Sequence, residues 1–197
     1  MSLLEIISKG GYIVWVIGFV GFVGLYITIE RFIYYRKSRG KTEDLLRMIK
    51  PYLEERDFNS AMNLLRTSNS PVSRVITKGL LNNNRISMES QAREELKNLE
   101  RNLGLLSSVI TISPMLGFLG TVTGMIRAFM QIEAFGGGVN PSKLAGGIWE
   151  ALITTAVGLV VAIIFVIFYN IFTEKVNNFT HEMNNAIDEI SPYIGGK

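Results

Sequence analysis

Apolar residues in this chain gather into three runs, Tyr12 to Ile29, Leu105 to Met130 and Ile148 to Phe172, with polar sequence between and after them. A helix needs roughly 20 apolar residues to cross a bilayer, so each run is predicted to be a transmembrane helix. The polar stretch from Glu30 to Gly104 reads as helices with short breaks. Thr42 caps a stretch containing Leu45, Leu46, Met48 and Ile49, which Pro51 kinks or ends. A second stretch spans Asp57 to Leu65 and closes in the polar run Thr67 to Ser70. Ser70-Pro71 then supplies an N-cap with proline at the first helical position. That helix is expected to reach Gly79 or slightly beyond and to stop at Asn82-Asn83-Asn84. Ser87 is the expected start of the next helix. From there Met88, Ala92, Leu99, Leu103, Leu106 and Ile110 keep helical spacing, with no breaker before Pro114. One helix on the order of 65 Å long is therefore expected to run from the polar region through the second apolar run. The third run likewise continues through Phe179, Met183 and Ile187.

The organisation that follows is an all-α integral membrane protein. It comprises an N-terminal segment at the outer face (1–11), a first span (12–29) and a cytoplasmic helical region without an obvious independent core (30–104). After these come a second span (105–130), a periplasmic loop (131–147), a third span (148–172) and a cytoplasmic C-terminal helix and tail (173–197). Leu3, Leu4, Ile6 and Ile7 ahead of Gly10-Gly11 fit either a short helix on the outer leaflet or a frayed terminus. The start lacks a basic n-region and a small-residue cleavage site, so it is expected to stay on the mature protein.

Composition agrees with a membrane setting: 48% of residues are hydrophobic and 19% charged, with a mean hydropathy of +0.26. The net charge of +3 is too small for a nucleic-acid binder, and the basic residues sit at the ends of the runs. Arg31, Arg36, Lys37, Arg39 and Lys41 follow the first run, Arg93, Lys97 and Arg101 precede the second, and Lys175 follows the third. Only Lys9, Arg127 and Lys143 lie on the other side. Positive-inside bias then puts the central segment and the C-terminus in the cytoplasm, and the N-terminus and the 131–147 loop outside. Tyr12, Trp15 and Trp149 on one side, and Tyr34, Tyr35 and Tyr169 on the other, are expected to act as interfacial anchors.

Several chemistries are disfavoured. With no cysteine there is no disulfide framework and no thiolate metal site. The single histidine, His181, lies in the polar tail and reads as a solvated helix residue, since metal sites and acid–base pairs need several convergent groups. An intramembrane hydrolase needs a nucleophile with its base or two intramembrane aspartates, yet Asp44, Asp57 and Asp188 lie outside the runs. The chain is not read as an enzyme, and no cofactor is expected.

The second and third runs carry a finer pattern. Ser107, Thr111, Pro114, Gly117, Thr121, Gly124 and Ala128 recur every three or four residues, as do Ala151, Thr155, Gly158 and Ala162. Residues so spaced share one helix face. Small residues in membrane helices serve close packing, with Gly120 and Gly124 a small-xxx-small pair, and threonines bond their own backbone; alternatively such a face lines a polar path. Because the two runs are antiparallel, levelling Thr121 with Thr155 puts Arg127 and Glu150 nearly level too, about 8–9 Å nearer the outside. An ion pair between them is then geometrically possible. The other reading leaves both hydrated at the interface.

The pattern Pro-x-x-Gly-x-x-Gly-Thr-Val-x-Gly-Met at Pro114 to Met125, and Glu-Ala-Leu-x-x-Thr-Ala-x-Gly-Leu at Glu150 to Leu159, resemble the ExbB/TolQ branch of the MotA/TolQ/ExbB proton-channel family. The three-span topology with an outside N-terminus is similar too, and the Asp57-Phe58 to Leu81 region more loosely. MotA itself, usually longer and with four spans, fits less well. Ile164 departs from a proline frequent in the family, and Arg127 is not carried over as a family feature. The resemblance implies a homopentameric ring in a bacterial inner membrane whose second and third spans surround a pore. It implies a dimeric single-span partner like ExbD or TolR that brings an aspartate into that pore, and proton-driven work on a protein like TonB or TolA. Carried over by position, Thr121 and Thr155 form the polar ring, Glu150 lies toward the periplasmic side of the path and Pro114 shapes the second helix. Gly117, Gly124, Ala151, Gly158 and Ala162 pack around the pore. Glu150 is the only acid placed inside a run, so a relay across the full thickness needs another titrating group, which the partner's aspartate would supply. An ExbB-like role in TonB-dependent transport is favoured over a TolQ-like role in outer-membrane integrity and cell division, because the chain is short. A proton is favoured over sodium, because no cluster of coordinating carboxylates is present. A passive membrane scaffold is the competing class.

Overall fold

The computed structural model describes residues 11–38, 40, 42–134 and 141–194. Seven helices follow in order among them: α1 (Gly11–Ser38), α2 (Thr42–Glu54), α3 (Phe58–Thr67), α4 (Pro71–Asn82), α5 (Arg85–Glu100), α6 (Leu103–Ala134) and α7 (Pro141–Ile190), then a 3-10 turn at Ser191–Tyr193. Three of these helices, α1, α6 and α7, are long and apolar enough to cross a membrane, and they contain the three apolar runs. Residues Leu3 to Gly10, with Lys9, and also Arg39 and Lys41, lie outside the described residues.

The chain divides into two compact units: the segment ending at Ile29 with Asn102–Asn170, and Glu30–Arg101 with Ile171–Lys197. In the first unit Ile13, Val14, Ile17, Val109, Ala128, Ala151, Ala162 and Phe165 are buried, whereas Trp15, Phe19, Phe22, Phe118 and Phe129 are exposed. Large apolar side chains on the outside of three long helices are what lipid or a neighbouring subunit covers, not water.

The polar segment contributes to a core that its sequence did not make obvious, and that core is not independent, because α7 shares in it. Leu45, Leu46, Ile49 and Leu53 of α2, Ala61 and Leu65 of α3, Val72, Val75, Ile76 and Leu80 of α4, and Met88 and Leu99 of α5 are buried. The end of α7 completes that core, with Met183, Ala186, Ile187 and Ile190 also buried. Tyr35 is another difference. Instead of anchoring at an interface it is 1% exposed, donates its hydroxyl to the Leu99 carbonyl at 2.7 Å and meets the Phe172 ring at 5.4 Å between centroids. Arg31, read as an orientation charge, is likewise buried; it donates to the Asn98 carbonyl at 2.9 Å and pairs with Glu30.

Local signals account for several helix ends. Asp57 caps α3 and Ser70 caps α4 with Pro71 in its first turn, while Asn83 closes α4 in the left-handed conformation. α5 starts at Arg85 and is capped by Asn84, not Ser87: the Asn84 side-chain oxygen accepts from the Ile86 amide at 2.8 Å, and Ser87 accepts from Asn82 instead. Thr42 is the first residue of α2, and its hydroxyl donates to Glu182 at 2.6 Å. Pro51 does not end α2, which runs on to Glu54; so near the C-terminus, the missing amide costs the helix one bond.

Two larger boundaries also differ. The single long helix expected from Ser87 onward is interrupted: α5 ends at Glu100, Arg101 leaves the helical conformation with ψ 136° and Asn102 takes a positive φ of 64° before α6 begins. Asparagine is among the few residues that enter this conformation readily. The loop expected at 131–147 is shortened from both sides, because α6 continues to Ala134 and α7 starts at Pro141. Gly146-Gly147 looked like loop sequence, but a methyl group at Gly147 would lie 3.0 Å from the Ala128 methyl, so that glycine belongs to a helix contact.

Candidate functional site

Within the first unit α6 and α7 meet along their small residues. A methyl group at Gly117 would lie 2.9 Å from the Thr154 carbonyl oxygen and 3.0 Å from the Thr155 Cα, and one at Gly124 would lie 3.0 Å from the Ala151 methyl. Gly158 faces the Ser113 carbonyl so closely that a methyl would overlap it. Backbones this close need residues without side chains at the crossing. Gly117, Gly124, Ala151 and Gly158 are therefore packing residues of one helix pair. Ala162 is buried one turn further along α7, and Pro114 lies inside α6 without ending it. Thr111, grouped with this face by spacing, is exposed and bonds the Ser107 carbonyl of its own helix at 3.0 Å.

Thr121 and Thr155 come together at the centre of the contact, with their hydroxyls in direct hydrogen-bond contact. Thr121 also donates toward the Ala151 carbonyl at 3.0 Å and the Gly117 carbonyl at 3.4 Å, and Thr155 toward Gly117 at 3.0 Å. Each hydroxyl has one proton and more than one acceptor in reach, so it can turn its lone pair or its proton toward a third group. Both side chains are partly exposed. Their neighbour Thr154 is the opposite case: it is buried, fills the space beside Gly120 and bonds the Ala151 carbonyl at 2.8 Å.

Toward the start of α7, Arg127 Nη1 lies 3.0 Å from Glu150 Oε1. The pair joins α6 to α7 as the antiparallel level argument allows. Glu150 is the more covered partner, its side chain 21% exposed against 46% for Arg127.

Three residues here were not found by sequence reasoning. Ser113 and Thr154 are buried polar residues of the packing face; the spacing could have found them, since Ser113 lies four residues before Gly117 and Thr154 lies three after Ala151 and four before Gly158, but their neighbours Pro114 and Thr155 fit the same register. Gly11, at φ +64°, presents its Cα hydrogens to the Glu150 carboxylate, which a methyl group would overlap. Only its position next to an apolar run marked it. Pro114, Gly117, Thr121, Gly124, Arg127, Glu150, Ala151, Thr155, Gly158 and Ala162 all lie in the first unit. His181 is exposed on α7 in the other. Among the described residues no group of three or more His, Cys, Asp or Glu side chains could hold a metal ion.

Comparison with known proteins places this geometry. The chain is 33% identical over 182 residues, 89% of its length, to a putative biopolymer transport protein ExbB homolog of Methanothermobacter thermautotrophicus, and covers 64% of that protein. It is 34% identical over 130 residues, 64% of its length, to the Tol-Pal system protein TolQ of Haemophilus influenzae, covering 54% of it. It is 34% identical over 119 residues, 60% of its length, to the biopolymer transport protein ExbB of Salmonella typhimurium, covering 47% of it. The chain thus spans about half to two thirds of the length of these curated relatives. The model of the MotA/TolQ/ExbB proton channel family matches residues 58–185, which hold the whole α6–α7 contact, and the chain belongs to that family.

Proposed function

We propose that this chain is an ion-conducting subunit of a bacterial inner-membrane motor, in which α6 and α7 of several copies line a path for protons. The observation that carries the reading is the Thr121–Thr155 hydroxyl pair, set in a glycine-lined helix contact of a chain from a proton-channel family. Threonine does not titrate, so the pair cannot relay a proton alone. A single-span partner like ExbD or TolR, entering a ring of five copies as a dimer, brings the titrating aspartate. The hydroxyls donate to that aspartate when it is charged and accept from it when it is protonated. Glu150 stands on the periplasmic side of the path, with the C-terminus of the chain in the cytoplasm. The ion carried is the proton, and the chain itself holds no cofactor. We assign the driven component to the TonB type, because the likeness to an ExbB homolog runs over 89% of this chain. A TolQ-like role, with a TolA-type partner, is favoured by a comparable identity to TolQ over a shorter stretch.

Thr155→Val tests the reading, because it keeps the shape of the side chain and removes its hydroxyl. The complex is expected to assemble normally while activity driven by the proton motive force falls by on the order of 100-fold. Thr155→Ser should retain most of the activity. Native mass spectrometry of the complex from its own membranes reads assembly and shows which partner co-purifies. Full activity in Thr155→Val would leave a passive scaffold as the better account.

A further inference from the structure

The Glu150 carboxylate is held from three directions. Arg127 of α6 pairs with it at 3.0 Å. The Arg127 guanidinium in turn lies 5.8 Å from the centre of the Tyr12 ring on α1, within the range of a cation–π contact. The third side is Gly11, the residue before Tyr12, where any side chain would strike the carboxylate. The first turn of α1 therefore contributes two adjacent residues to one anchoring set, one making room for the acid and the other covering the base. Three helices converge on a single charge, more than packing alone requires.

A carboxylate beside an ion path ordinarily attracts metal cations as well as protons, since sodium coordinates oxygen ligands. Here the cation position is already filled by a guanidinium, which is permanently charged and fixed to the protein. We infer that Arg127 is a specificity-determining residue: it occupies the cation position of Glu150, keeps sodium from binding at that end of α6 and α7, and is steadied there by Tyr12 and Gly11. The inference rests on the proposed ion path. Arg127 acts through Glu150, so it is a positioning residue for that carboxylate, and among the described residues Tyr12 is a further titratable group beside the pair.

The test uses the full chain in liposomes at neutral pH, with N,N′-dicyclohexylcarbodiimide as the probe. Labelling of the Glu150 peptide is read by mass spectrometry, and Glu150→Gln identifies the signal. A carbodiimide adds to a carboxyl group in its protonated form, the carboxyl oxygen bonding the central carbon and the proton passing to nitrogen, and a fixed cation beside the carboxyl group disfavours that form. Labelling is expected to be slow in the parent chain, to rise about tenfold in Arg127→Gln and to stay near the parent level in Arg127→Lys, which keeps the charge. Sodium chloride is expected to protect Glu150 in Arg127→Gln and to have no effect in the parent. Sodium protection in the parent chain overturns the inference, as does equal labelling of the parent and Arg127→Gln or a loss of control in Arg127→Lys. The parent and the lysine variant decide the question even where the glutamine variant does not fold. Labelling needs neither partner nor ion flow. If it comes out as expected while Thr155→Val stays active, the path reading fails and the anchoring set stands as an interhelical tie.

Discussion

At the scale of single residues, what a glycine faces decides what replacing it does. Gly158 meets the Ser113 carbonyl and the Gly117 Cα, whereas Gly18 on α1 has nothing within 4 Å. Gly158→Ala is expected to force α6 and α7 apart and cost about 1–3 kcal/mol. Gly18→Ala should leave stability unchanged or raise it by up to about 1 kcal/mol through helix propensity. Denaturant unfolding of the two variants in the same detergent compares them directly, and equal effects would contradict the packing role of Gly158. A second residue-scale case is Glu95, 3% exposed, whose two oxygens accept from Arg74 at 2.7 and 2.6 Å. Hydrogen bonding to Glu95 raises the Arg74 pKa above its ordinary value, so Arg74 stays charged. Arg74→Met strands a buried carboxylate and is expected to cost about 2–3 kcal/mol. The double variant Arg74→Met, Glu95→Leu should recover most of that loss, since it removes both charges. A double variant no more stable than Arg74→Met would show that the pair is not what the core depends on.

At the scale of helices, the break at Asn102 is the most specific local feature. Its φ of 64° suits glycine or asparagine and not a β-branched residue. Asn102→Gly should therefore be nearly neutral, whereas Asn102→Val is expected to lower stability by about 1–2 kcal/mol, read by thermal unfolding. Equal melting temperatures for the two would mean that α5 and α6 can join without cost. The same residue marks how far the sequence could be read. The three apolar runs, the caps at Asp57 and Ser70 and the stop at Asn83 were legible, because each rests on contacts within a few residues. The break was not, since Arg101-Asn102 contains neither glycine nor proline and the apolar spacing runs through it unchanged. At the site, the resemblance paired Thr121 with Thr155, and helical rise, once those two are set level, also levelled Arg127 with Glu150. It could not show Gly11 beside Glu150, a contact between residues 139 positions apart that only the arrangement of three helices creates.

At the scale of the whole molecule, α7 serves both units. Its first part makes the contact with α6, and its last part supplies Phe179, Met183, Ala186, Ile187 and Ile190 to the core of the second unit, followed by Ile194 beyond the 3-10 turn. Directed bonds fix that last part: Thr42 donates to Glu182 and Arg85 pairs with Asp188 at 2.9 Å. Ile194 packs 3.2 Å from where a Gly79 side chain would begin. The polar segment thus lacked a visible core because part of that core lies more than 70 residues further along the chain. Ending the chain after Asn178 removes six buried apolar side chains and is expected to cost the second unit on the order of 10 kcal/mol, as much as a whole domain's stability. The first unit keeps every residue of the Thr121–Thr155 and Arg127–Glu150 contacts. Limited proteolysis of the truncated chain in detergent should then cut throughout residues 42–100 while residues 103–134 and 141–170 stay protected. Protection of both stretches would mean that α2 to α5 hold their core without α7, and loss of both would mean that the helix contact depends on the second unit. The expected pattern assigns the two halves of one 50-residue helix to separate tasks, so that substitutions after Ile171 act on folding and those around Thr155 on the chemistry proposed for the site.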